Sequence, residues 1–207
     1  VKADENSGVN VSTKHITYCT SGMYCNALVT AGLSDAKVTV VGPFDISGTS
    51  ALVGAMKAYS VMTGEEISEK TMDTATDELV TTAEVAKNVG DKQKVTELVA
   101  AAKKAVFEDQ LSSETDIRDA IEQAANELSI DLSDDDVEKL TNMMMKVSNE
   151  DIDPDTIAKQ ASDIYNKLKE KGIDLANVDT KGLSEKIGDF FGNIFTAIAN
   201  FFSGLFG

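Results

Sequence analysis

From Glu66 onward the apolar residues return every three to four positions, and this periodicity limits the fold more than any other feature of the chain. Met72, Ala75, Leu79, Ala83 and Ala86 share one helical face that Gly90 closes, and Val95, Leu98, Val99, Ala102 and Val106 share the next. Ile117, Ala120, Ile121, Ala124 and Leu128 form a third stripe, and Val137, Leu140, Met144 and Val147 a fourth. Ile157, Ala161, Ile164, Tyr165 and Leu168 form the fifth, which ends at Gly172. A period near 3.6 buries one stripe of a helix, whereas a strand would alternate at every second residue. Ser133 with Asp136 and Asp153 before Pro154 mark helix starts. Each stripe needs a cover, so residues 65–182 are expected to form an all-helical array. Ile-Asp recurs at 130–131, 152–153 and 173–174. A reused apolar staple and cap explain that recurrence better than a solenoid repeat.

Upstream the pattern changes. Val9, Val11, Thr13, Ile16, Thr17 and Thr20 spell a β-branched strand, and Val38 to Val41 a shorter one. Between them Ser21 to Gly32 has a capping Ser, an apolar spacing and a closing Gly, the signals of a short helix. A loop is expected from Gly42-Pro43 to Ser47, then a helix over Gly48–Thr63 that buries Leu52, Met56 and Tyr59 and stops at Gly64. The expected fold class is therefore α+β: a small strand–helix–strand–helix α/β layer (residues 1–64) followed by an acidic helical array (65–182). An amphipathic Phe-rich helix (183–207) ends the chain. Two strands are too few for a stable sheet, so further strands are expected from a segment before Val1 or from a partner.

Charge follows the same division. The 207 residues carry a net charge of −16. Residues 1–63 balance Lys2, Lys14, Lys37 and Lys57 against Asp4, Glu5, Asp35 and Asp45, so the whole excess lies downstream. Such acidity argues against nucleic acid as a partner. One His and two Cys leave too few ligands for a structural zinc site, and no cofactor or metal is expected. The Met-less start, Val-Lys-Ala-Asp-Glu, reads as a trimmed or processed mature form whose leading signal segment is absent.

Few residues invite chemistry. Ser47, Gly48, Thr49 and Ser50 precede a helix, where free N–H groups attract anions, so the turn is a candidate anion site. No phosphate-loop Lys follows at the required spacing, and capping alone accounts for the hydroxyls. His15, alone in a strand, has no evident catalytic company, and no catalytic residue is assigned. Cys19 and Cys25 could close a disulfide in an oxidising compartment or remain buried thiols in a reducing one; the reading leans to the disulfide. The acidic clusters at Asp131–Asp136 and Glu150–Asp155 lack the mid-loop Gly and terminal Glu of a calcium loop, and suit helix N-termini instead. Met143, Met144 and Met145 read as adaptable core filler.

Six of the eight Phe residues lie in the last 18 positions, a stretch without a charged residue. On a helical wheel Phe190, Phe191, Ile194, Phe195, Ile198, Phe201, Phe202, Leu205 and Phe206 occupy roughly 160° of arc. Nine such side chains at about 1.5–3 kcal/mol each demand a cover. The array itself, a membrane interface, a partner or a second copy would each serve, whereas a spanning helix is disfavoured by Asn193 and Asn200.

Three stretches occur together in a familiar order. They are Ile16-Thr17-Tyr18 with Met23 to Gly32, Pro43 to Leu52 with Lys57-Ala58-Tyr59, and Glu78 to Thr82 with Val89 to Lys92. With Ile152-Asp153-Pro154 and Tyr165 to Leu168, they resemble the exported Gram-positive family known as domain of unknown function 1002. The resemblance covers most of residues 9–172 and implies a secreted protein with a leading segment. It carries no catalytic residue over, and Cys19, Cys25 and the Phe-rich tail stand outside its pattern. The expected function is an exported, non-catalytic binding or recognition protein that engages a host or bacterial surface protein through its helical array. Three alternatives stand beside it: an envelope- or membrane-associated protein held by the C-terminal helix, a host-protein (for example immunoglobulin) binder, and an enzyme with an anion site at Ser47–Ser50.

Overall fold

The computed structural model describes residues 1–3 and 7–171. Three strands, β1 (Lys2–Ala3), β2 (Val9–Ile16) and β3 (Ala36–Ile46), form a sheet of order β1-β3-β2. β2 and β3 run parallel, linked through α1 (Ser21–Thr30), and β1 lies antiparallel on the other side of β3. The helices that follow are α2 (Ala51–Thr63), α3 (Glu69–Val89), α4 (Lys92–Glu108), α5 (Glu114–Glu127), α6 (Asp134–Ser148) and α7 (Pro154–Lys171). The chain is α+β, with a helical array as its larger part.

The N-terminal helix is the hub. Every residue of α1 is buried, and it packs against β2, α3, α4 and α7. Surrounded on all sides, α1 has no polar face to present to water, and so lacks the stripe of a surface helix. Its N-cap is Thr20, whose hydroxyl accepts from the Met23 N–H at 3.2 Å; Ser21, the expected cap, is the first helical residue. Beneath the sheet, Val9, Val11, Val38 and Val40 join Tyr24, Leu28 and Leu33 in one core that continues through Leu79, Leu98, Ile117, Leu140 and Ile164. The step in charge at position 64 thus coincides with no break in packing: residues on both sides of it belong to one compact unit.

Side-chain caps start the later helices, Ser133 and Asp153 among them as their residue types signal. Ser68, Asp91, Ser113 and Ser133 each accept from the N–H three residues on, and Asp153 does the same for Thr156 at 2.8 Å. Each cap satisfies one of the orphan donors of a first turn. Among the described residues no strand follows Ile46.

The sheet departs from expectation at β3, which does not end at Val41. After Lys14 pairs with Val41, Ile16 pairs with Ile46, so β3 makes a wide bulge over 42–45 opposite His15. Pro43 sits in that bulge, where the ladder needs no N–H from it. His15 is in the left-handed region at φ 57°, which turns β2 around the excursion. A Cβ on Gly42 would come within 2.6 Å of the Phe44 carbonyl and 3.0 Å of the His15 carbonyl, so only glycine lets the two strands close there.

At Gly48 the backbone has φ 89°, and a Cβ would stand 2.5 Å from Tyr24 Oη and 2.6 Å from Ile16 Cγ2. Gly48→Ala should therefore destabilise the protein by about 1–3 kcal/mol through strain and overpacking. Gly54, inside α2 with open space around it, should gain roughly 0.5–1 kcal/mol on replacement by Ala. Thermal denaturation of the two variants beside the parent checks both signs.

Candidate functional site

The Ser47–Ser50 turn joins three elements. The Tyr24 hydroxyl donates to the Gly48 carbonyl at 2.5 Å, and the Cys19 N–H donates to the Ser47 carbonyl at 3.3 Å. The Ala51 and Leu52 amides turn inward to the carbonyls of Gly48 and Thr49, at 2.9 and 3.3 Å. Ser50 is the N-cap residue of α2 but makes no side-chain capping bond. These contacts seat β3 and α2 on α1, and they engage the two helix-start amides that an anion would otherwise recruit.

Cys19 and Cys25 are both buried and are free thiols rather than a disulfide. Cys25 points from α1 to β2, where its Sγ donates to the Val9 carbonyl at 3.6 Å. Burial pushes each thiol up to about 11, with Lys92 working slightly the other way at Cys19. Burial of this kind favours the neutral thiol over the thiolate at neutral pH. Burial likewise raises the Tyr24 phenol above its ordinary range. His15 is exposed, with Nδ1 3.2 Å from Asp45 Oδ1, a hydrogen bond in open solvent.

The acidic clusters serve the fold. Asp136 accepts from Asn88 Nδ2 at 2.8 Å and from the Ser133 hydroxyl at 2.7 Å, tying α6 to α3. Glu150, just beyond α6, accepts from the hydroxyls of Thr71 and Thr74, both at 2.8 Å, and lies 3.2 Å from Lys70 Nζ. Among the described residues no cluster of His, Cys, Asp and Glu has the geometry of a metal site. Met143 and Met144 are core residues, and Met145 borders a groove between α3 and α6. The predicted face from Phe190 to Phe206 lies outside the described residues.

The densest polar constellation was not singled out from the sequence. Lys103 on α4 and Glu78 on α3 are fully buried, with Nζ 2.7 and 2.9 Å from the two carboxylate oxygens. The same ammonium donates to the Thr30 hydroxyl at 2.7 Å and the Asn26 carbonyl at 2.8 Å, both on α1. Thr30 in turn donates to Glu78 Oε2 at 2.5 Å, and Asn26 Nδ2 to the Thr96 carbonyl at 3.1 Å. Burial pulls the Lys103 pKa below its ordinary range, and the Glu78 carboxylate opposes that pull. One signal was available: Lys103 lies four residues after Val99 and three before Val106, inside an apolar stripe, and Glu78 sits similarly between Ala75 and Thr82.

The open ground lies elsewhere. A groove of about 400 Å³ runs between α4 and α5 and is bordered by Tyr165 of α7. Ala101, Ala105, Ala120 and Ala124 line it, with Lys104 paired to Glu108 at 3.7 Å and exposed Asp116 and Asp119 among the acids at its rim. Small floor residues admit a side chain or a helix closely, and the rim favours a cationic visitor.

The family model for proteins of unknown function (DUF1002) matches residues 1–164. The uncharacterized protein YpuA of Bacillus subtilis (strain 168) is 38% identical over 202 residues, which are 97% of this chain and 68% of that protein. The chain belongs to the DUF1002 family. No solved structure matches it.

Removing one side of the buried pair should cost far more than removing both. Lys103→Met leaves a sealed carboxylate without its counter-ion and should cost about 3–5 kcal/mol, whereas adding Glu78→Leu should recover most of that loss. Urea denaturation of the single and double variants measures the coupling. At Glu150, burial raises the carboxyl pKa, but hydrogen bonds from Thr74, Thr71 and Lys70 and the Lys70 charge outweigh it, so the value falls below the ordinary 4.5. That lowered value contributes stability above pH 4.5 which is lost as pH falls through the folded-state pKa. Glu150→Gln should therefore weaken the protein at pH 7 and narrow its gap from the parent in acid, read from urea midpoints across that range.

Proposed function

We propose that this member of the DUF1002 family is an exported binding protein, not an enzyme, acting through protein–protein contacts of its helical array. The observation that carries the reading is the placement of its polar chemistry. The Lys103–Glu78–Thr30 cluster is sealed from solvent, and both thiols are buried with raised pKa values. The α4–α5 groove, by contrast, is open, floored by alanines and rimmed by exposed acids. That arrangement suits capture of a Lys- or Arg-bearing segment of another protein.

The test is capture by the immobilised protein from surface-protein extracts, with purified immunoglobulin as a defined host probe. A specific partner should be retained, and Asp116→Lys with Asp119→Lys should release it while circular dichroism stays unchanged. Capture that ignores the groove variant, or turnover found in a substrate screen, overturns the reading. A second reading rests on the segregated apolar face read from residues 190–206, which suits an envelope or membrane interface. Co-sedimentation with phosphatidylglycerol-containing vesicles that is lost on truncation after residue 186 would favour it.

A further inference from the structure

Among the described residues the outer face of the sheet carries three lysines and no acid, on a molecule whose net charge is −16. Val9, Val11, Val38 and Val40 point into the core, so the alternate residues Asn10, Ser12 and Lys14 of β2 and Lys37, Thr39 and Val41 of β3 share the other face. Lys37 and Thr39 are exposed, and a Ser12 Oγ to Thr39 Oγ1 hydrogen bond of 3.3 Å spans the two strands in solvent. β1 adds Lys2, exposed and directly opposite Lys37. Like charges in register across a strand pair repel. Among the described residues none of Lys2, Lys14 and Lys37 has a carboxylate within ion-pair distance.

The cations are spaced along the strands. Lys2 and Lys37 sit at one end, the Ser12–Thr39 hydroxyl pair lies between, and Lys14 stands four residues beyond Asn10, about 13 Å at the rise of a strand. Past Val41 the β3 bulge carries Phe44, which is 69% exposed. Parallel strands are ordinarily covered on both faces, whereas among the described residues Lys37 and Thr39 of this face stand in solvent and Asn10, Ser12 and Lys14 are half-buried.

We propose that this face binds an anionic glycan chain: Lys2, Lys37 and Lys14 meet its acidic groups, Ser12 and Thr39 its hydroxyls, and Phe44 the C–H face of a sugar ring. Spaced ammonium groups separated by hydroxyls match a polymer whose charges alternate with hydroxyl-bearing rings. The acid-rich remainder of the surface repels a densely charged polyanion and orients a sparser one toward this face. The inference stands apart from the helical-array reading.

Isothermal titration with an oligogalacturonate, a neutral malto-oligosaccharide of equal length and inorganic polyphosphate tests it. The oligogalacturonate should bind with an affinity that falls as salt rises, and the neutral chain should not. Lys14→Glu with Lys37→Glu should weaken binding at least about tenfold, and Phe44→Ala severalfold. Lys57→Glu, an exposed charge on α2, and the Asp116→Lys, Asp119→Lys variant should leave that affinity unchanged. Failure of the oligogalacturonate to bind overturns the proposal, as does an equal loss with Lys57→Glu. Tight polyphosphate binding with Phe44→Ala without effect overturns it too, because the face would then be an unselective anion patch.

Discussion

The fold depends on a charge that has nowhere else to go. Lys103 enters a core of Val, Leu and Ala side chains, and an ammonium there is tolerable only if every proton finds an acceptor. Glu78, Thr30 and the Asn26 carbonyl supply them, from two helices other than its own. The cluster thereby joins α1, α3 and α4 at one point in the core. This is the role for which buried ionic groups are best attested: fixing an arrangement rather than adding net stability. The position of α1 beneath the sheet follows from that lock, and with it the seating of β2, β3 and the Gly48 turn.

The helical part was legible because one physical requirement, burial of a stripe, writes itself into the sequence at a fixed period. Leu79, Leu98, Ile121, Leu140 and Ile164 are buried where their spacing placed them, and Ser133 and Asp153 cap where their side chains forecast it. The sheet was less legible. β1 is two residues long, too short to carry a period, and the β3 bulge hides a strand behind Gly42-Pro43, residues that usually end one. Charge describes a surface, and the interior crosses position 64 without interruption.

The candidate sites divide along the same line. The Ser47–Ser50 turn is visible in its residue types, but its seating is decided by Tyr24 and Cys19, distant in sequence, which donate to the Gly48 and Ser47 carbonyls. Cys19 and Cys25 were a pair only in spacing; the direction of a side chain from a helix set against a strand separates them. Lys103 and Glu78 escaped notice because each, read alone, is one charged residue among 54. Their meaning lies in the apolar neighbours on either side.

The burial of α1 has a consequence for how the chain reaches its native state. The partners that close around this helix are 48 to 77 residues further along, at Glu78, Thr96 and Lys103. Tyr24 and Cys25 find acceptors nearby, at Gly48 and Val9, but Asn26 and Thr30 meet theirs only across those long loops. These polar groups of α1 therefore stay open until α3 and α4 have joined it. Compaction would come late and all at once, when the lysine of α4 arrives to complete the knot of polar contacts.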